Sequence, residues 1–208
     1  KYLLPHFEDP KVFAVGCLQN SNNGGVNRIE GRGVGRFEKG FLMHGPGLQV
    51  KKNTLWVFGG AGMYRKEIWE ELGGLDTTYN PFYWEDIDLS YRALKAGYKL
   101  VFESRSVVDH NQQKGAIRNL YTPEQVKTIA YRNQILFVWL NITDFKFKLN
   151  HLIWLPYHLF KSIVTGDLLF LRAFLMAILK IPSVFHKRWV NKKFAVISDE
   201  DILRNFKN

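Results

Sequence analysis

The chain has 208 residues, of which 46% are hydrophobic and 23% charged, and a formal net charge of +10. These proportions exclude a disordered chain and suffice for one domain with a sizeable core plus an appendage. The single cysteine, Cys17, excludes an intrachain disulfide and a cysteine-based metal finger and fits a reducing compartment.

Asp9-Pro10 closes a short helical turn at the start, and Val12 to Leu18, apolar and partly β-branched, reads as a buried strand. From Asn20 to Gly47 the composition shifts to Asn, Gly and Arg. Such a stretch reads as loop with room for short strands, mobile until a ligand orders it. Its Arg28, Arg32 and Arg36 are either solvated charges or partners for a diphosphate or an acidic acceptor. Leu55 to Phe58 reads as a core strand that ends in Gly59-Gly60-Ala61-Gly62. Glycines at a strand end let another molecule approach the backbone; a tight turn is the alternative, because the run is neither a Walker loop nor a dinucleotide fingerprint. A helix over 64–72 stops at Gly73-Gly74.

An aromatic loop, Tyr79 to Trp84, then leads into Glu85-Asp86-Ile87-Asp88. Ile87, Tyr91 and Leu94 recur at helical spacing and Gly97 ends the pattern, so a helix is expected over about 86–96. Carboxylates at a helix N-terminus are favoured in the ionised form by the dipole and the unpaired N–H groups. That suits either a general base or simple capping. Apolar runs at 99–102 and 106–108 read as strands, and Asp109-His110 follows at a strand end. A neutral imidazole beside a carboxylate suits a metal ligand or a structural histidine. Asn111 to Gly115 reads as a segment able to close over a site, or as a linker. The alternation of strands and helices implies an α/β sheet with functional loops at strand ends.

The succession Gly59-Gly60-Ala61-Gly62-Met63-Tyr64-Arg65, Gly73-Gly74-Leu75-Asp76, Trp84-Glu85-Asp86-Ile87-Asp88-Leu89-Ser90-Tyr91-Arg92, Ala96-Gly97-Tyr98 and His110 resembles the C-terminal half of the catalytic domain of glycosyltransferase family 2. Its bacterial rhamnosyl- and galactofuranosyltransferase-like members are the most similar, over roughly residues 1–140. The resemblance implies a GT-A fold and an inverting transfer from a nucleotide-sugar donor to a glycan or lipid-linked acceptor in polysaccharide biosynthesis. It implies Asp86 as the catalytic base, with Glu85 in the same acidic motif, and His110 as a ligand of Mg²⁺ or Mn²⁺. Substrate would be bound by Gly59, Gly60, Ala61 and Gly62 together with Trp84 and Arg92. The family's nucleotide-binding half, which ends in an Asp-x-Asp metal motif, has no counterpart here. The chain therefore reads as the acceptor-side half of a GT-A domain, without transfer activity alone.

Pro123 opens a helical run that continues through Ile135 to Leu140, followed by apolar, aromatic-rich runs over 149–164 and 167–181. Lys161, Arg172 and Lys180 cut these below spanning length. They read as helices lying on a membrane surface, or as a helical subdomain packed on the core. The basic charge is concentrated here: residues 132–208 carry 12 Lys and Arg against 5 Asp and Glu, a net +7. Without a nucleic-acid motif, that charge points to anionic lipid. The expected organisation is a catalytic half-domain over 1–124 and a membrane-associated α-helical region over 125–208, cytoplasmic and peripheral on the inner face of the membrane. Two alternatives are a non-catalytic scaffold that binds glycan or lipid, and a metal-dependent hydrolase using Asp86, Asp88 and His110.

Overall fold

The computed structural model describes residues 1–23, 26–111 and 116–206, except for the side chains of residues 22, 23, 26, 27, 110, 111, 116 and 118. The apolar run that begins at Val12 becomes the first half of the central strand β1 (Val12–Asn23). One edge of β1 pairs in parallel with β6 (Lys99–Asn111) along most of its length. The other edge is shared by two antiparallel neighbours, β5 (Gly62–Tyr64) opposite Ala14 to Gly16 and β2 (Val26–Glu30) opposite Gln19 to Asn23. The neighbour thus changes in the middle of β1. At that point the Cys17 N–H donates to the Ala61 carbonyl (2.9 Å), so the glycine turn enters the sheet where its topology switches.

Three expectations are corrected. The stretch from Asn20 to Gly47 is largely sheet: after β1 and β2 it forms a hairpin of β3 (Gly33–Glu38) and β4 (Phe41–Pro46). Its glycines serve close packing there, since a Cβ at Gly33 would lie 2.3 Å from the Trp56 ring and one at Gly35 2.6 Å from Leu55. Gly24 and Gly25 lie outside the described residues. Leu55 to Phe58 is core but no ladder strand. Its polar backbone is satisfied singly instead, with Leu55 N–H donating to the Gly33 carbonyl and Val57 N–H to the Ser90 hydroxyl. The two strands expected over 99–108 are one, because a register shift between Cys17 and Leu18 absorbs the residues between them.

The helices follow their local signals more closely. α1 (Lys66–Glu71) and α2 (Glu85–Lys95) sit close to where the apolar spacing puts them, and Gly97 takes a left-handed φ of 87° just beyond α2. After α3 (Ala116–Leu120), α4 (Pro123–Asn141) opens with a capping box in which Thr122 and Gln125 satisfy each other's backbone N–H groups. α4 begins where the helical region was expected, yet Ile135, Leu136 and Phe137 are completely buried in the same core as Phe13, Trp56 and Tyr91. Then come α5 (Phe145–Val164), α6 (Leu169–Ile178), α7 (Ile181–Asn191) and α8 (Asp199–Asn205). α8 is fastened to α2: the buried Asp199 carboxylate accepts from Tyr91 and Lys95 and from the N–H groups of Thr143 and Asp144.

Candidate functional site

The turn before α2 is strained. Tyr83 and Trp84 are consecutive non-glycine residues with left-handed φ of 68° and 78°, a conformation that costs each about 1–2 kcal/mol. Two things hold it. Trp84 is a buried wedge, edge-on to His44 (4.9 Å between centroids) and packed on Phe137 (5.1 Å). Asn133 of α4 donates from one amide nitrogen to the carbonyls of Tyr79 (2.7 Å), Phe82 (2.9 Å) and Tyr83 (2.8 Å), while Arg132 donates to Asn80. Neither Arg132 nor Asn133 was picked out from the sequence. Their signal was a charged and an amide residue set side by side in a helix whose other buried residues are mostly apolar.

This turn starts α2 at Glu85 and sets its first carboxylates in different surroundings. The Asp86 carboxylate accepts from the Ile87 N–H (2.8 Å), and the nearby Gly59 backbone also favours its charged form. Burial, and after it the adjacent Glu85 carboxylate, push its pKa up from 3.8 to about 6. The helix dipole was expected to hold this acid down, but here desolvation outweighs it. Nearby, burial and then the Asp86 charge raise the Tyr64 pKa and keep the phenol protonated; its hydroxyl donates to the Val57 carbonyl. Glu85 presents a buried oxygen, Oε2, that has no hydrogen-bond partner among the described residues. Glu85 lines a cavity of about 190 Å³ formed with the Leu75 to Phe82 loop. Also lining that cavity, Asp76 pairs with Lys187 of α7 and caps Thr78; against the upward push of burial, these contacts hold its pKa below the usual value.

Gly59 and Gly60 are exposed and adopt no left-handed φ, and a Cβ added at either would meet nothing within 4 Å. The chain's own packing therefore does not demand glycine at either position. Gly62 differs, since a Cβ there would lie 2.2 Å from Val57, and Ala61 is buried beside β1. Of the expected substrate-binding group, Gly59 borders the Asp86 carboxylate, whereas Trp84 and Arg92 are inside. The Arg92 guanidinium is spent on the Asp88 carboxylate (2.8 Å) and on the carbonyls of Leu72 and Gly74.

Asp88 lies on the opposite face of the helix, fully buried, accepting from Arg92, Tyr79 and Asn141. With its oxygens so engaged it does not join Asp86, which removes the geometry the hydrolase alternative requires. His110 pairs with Ser21 in the parallel ladder, and its side chain lies outside the description, as do residues 112–115 of the expected closing segment. Among the described residues no three or more His, Cys, Asp or Glu side chains converge to hold a metal ion. The three arginines do not form one cluster either. Arg32 is buried and donates to Asn53 on the far side of its loop, and Arg36 pairs with Glu38 on β3.

No family model matches the chain, and no curated protein does. Among solved structures it is similar to a crystal structure of GalNAc-T7 with UDP, GalNAc and Mn2+, at 20% identity and a TM-score of 0.45, over 65% of this chain and 27% of that one. The chain thus spans little more than a quarter of that structure's length.

Proposed function

We propose that this chain is the acceptor-side part of an inverting glycosyltransferase of the family 2 type, which moves a sugar from a nucleotide-sugar donor to a hydroxyl of a glycan or lipid-linked acceptor at the cytoplasmic face of a membrane. The observation that carries the reading is the Asp86 carboxylate. Its pKa is pushed up to about 6, one neighbour on the chain is the unpaired Glu85 oxygen, and Gly59 leaves open backbone beside it. An acceptor hydroxyl is a weak nucleophile and needs a base within hydrogen-bond reach. A base with a pKa near the working pH is mostly ionised yet still holds a proton well.

Asp86 takes the proton of the acceptor hydroxyl as that oxygen attacks the anomeric carbon from the face opposite the leaving nucleoside diphosphate. Glu85 accepts a hydrogen bond from the acceptor in the adjoining cavity. Tyr64, still protonated, contributes no competing charge. The resemblance also implies a divalent metal, whose positive charge would offset that of the leaving diphosphate. The resemblance gives His110 as one ligand, and the described residues supply no ligand set for it.

The test is steady-state turnover in the full-length protein that carries this sequence. Asp86→Asn removes the base while changing little volume, so donor affinity should hold while kcat drops by about 10² to 10⁴. Retention of more than roughly a tenth of kcat would remove Asp86 from the role. Absence of any sugar transfer by the unmodified protein, with glycan binding intact, would instead favour the scaffold reading.

A further inference from the structure

We infer that the outward face of α5 is a docking surface for an anionic lipid bilayer. A helix on the surface of a soluble domain turns its apolar stripe inward and its polar residues to water, whereas α5 packs Phe147 and Leu155 inward and still leaves a second apolar stripe exposed. Leu149, Leu152, Ile153, Phe160, Ile163 and Val164 fall on one stripe at helical spacing, and all are exposed, Val164 to 67% and Phe160 to 66%. The face turned to the protein packs Phe147 on Phe37 (4.7 Å between centroids) and Leu155 on the core, and it is also held by polar groups at the tip of the β3–β4 hairpin. Asn150 accepts from the Gly40 N–H (2.8 Å), His151 bonds the Gly40 carbonyl (2.7 Å), and His158 bonds the Lys39 carbonyl (2.8 Å). His151 also accepts from the Trp139 indole N–H (3.0 Å), so its ring is neutral and its Nδ1 is the donor to Gly40. These inward contacts, apolar and polar together, fix the exposed apolar stripe outward.

Charge selects the occupant. From Phe145 to Phe194 the chain carries nine Lys and Arg against one acid, Asp167; Lys146 pairs with Glu200 and Lys187 with Asp76, which leaves seven cations outside those two pairs, Lys148 and Lys161 of α5 among them. A second copy laid on the same stripe would bring two strongly positive surfaces together. An anionic leaflet neutralises them. No single described helix is long and apolar enough to cross a membrane, and α6 with the segment after it reaches that length only through a 64° bend. The inferred contact is that of a helix lying on the surface, with the apolar side chains of α5 at headgroup depth.

Co-sedimentation of the whole chain with phosphatidylcholine vesicles, with and without phosphatidylglycerol, tests this without any need for transfer activity. Binding should require phosphatidylglycerol and weaken as salt rises, because exposed charges are screened within about 10 Å at 0.1 M. Ile153→Glu with Phe160→Glu should cut partitioning by about tenfold or more, while the melting temperature and circular dichroism stay as in the parent chain, both positions being exposed. A chain that stays in the supernatant with phosphatidylglycerol at low salt overturns the inference. So does binding that survives the double substitution. Concentration-dependent dimerisation that the substitution abolishes, with no vesicle binding, assigns the stripe to a second copy and also overturns it. If vesicle binding holds while no sugar is transferred, the docking surface stands and the catalytic reading fails.

Discussion

Asp86 and Asp88 sit two residues apart on α2 and have opposite surroundings. Asp88 is completely buried and matched by Arg92, Tyr79 and Asn141, with Arg92 continuing to the carbonyls that end α1. Asp86 is partly buried, has a like charge beside it, and is offered only backbone N–H groups. One carboxylate is fully partnered and holds the helix in place. The other is left costly to ionise and open to a ligand. Two residues on a helix turn through about 200°, so a step this small is enough to separate a brace from a base.

The sharpest way to break this contrast is Asp86→Asn, for which loss of transfer should come with no loss of stability. The sign follows from linkage: folding raises the Asp86 pKa from 3.8 to about 6, so the folded state is favoured while the acid is protonated. That contribution is present below about pH 4 and is lost as pH rises through about 6, with a size on the order of 1 to 3 kcal/mol. Urea unfolding at a series of pH values should show this decline in the parent chain and its absence in Asp86→Asn. A substitution that lowers stability at pH 7 would mean that Asp86 is a brace after all.

On the other face, Arg92→Ala should cost about 3–5 kcal/mol, because it leaves the Asp88 charge buried without its partner. Arg92→Lys should recover only part of this, since a single ammonium cannot reach the carboxylate and both carbonyls. Thermal melts check both, and a loss under about 1 kcal/mol for Arg92→Ala would refute the brace.

Asn133→Ala tests what holds the strained turn between the two. With the Phe82 and Tyr83 carbonyls left without this donor and Tyr79 keeping only its longer bond from Arg132 (3.4 Å), a loss of about 2–3 kcal/mol is expected. Because the turn aims Asp86, kcat should fall further than the melting temperature alone accounts for. Asn133→Asp should be no better, since a carboxylate cannot donate to those carbonyls. A smaller effect is expected of Glu85→Gln, which removes the like charge beside Asp86. The acid limb of the pH–rate profile should then move to lower pH, and an unmoved limb would mean that Glu85 does not act on the base. Smallest of all for the fold is Gly60→Ala, within about 0.5 kcal/mol in a melt. If Gly60 borders the substrate, that same change should still raise KM, and an unchanged KM would place the substrate elsewhere.

What the sequence by itself determined is local. The spacing of Ile87, Tyr91 and Leu94 with Gly97 defines α2, Thr122-Pro123 with Gln125 opens α4, and the run from Val12 makes the core of β1, because each signal acts within a turn or two of the backbone. The acidic triplet could likewise be read as a feature of a helix start, but not which acid would be spent on structure. Only the tertiary structure decided that, through partners far along the chain: Asn141 lies 53 residues from Asp88, Asn133 54 from Tyr79, and His151 111 from Gly40. The same holds for the glycines of the β3–β4 hairpin, which looked like loop until Leu55 and Trp56 were brought against them. Composition fixes how many charges and apolar groups must be buried, exposed or paired. Which ones share a low-dielectric site is settled by chain-distant packing, and that sharing separates Asp86 from Asp88.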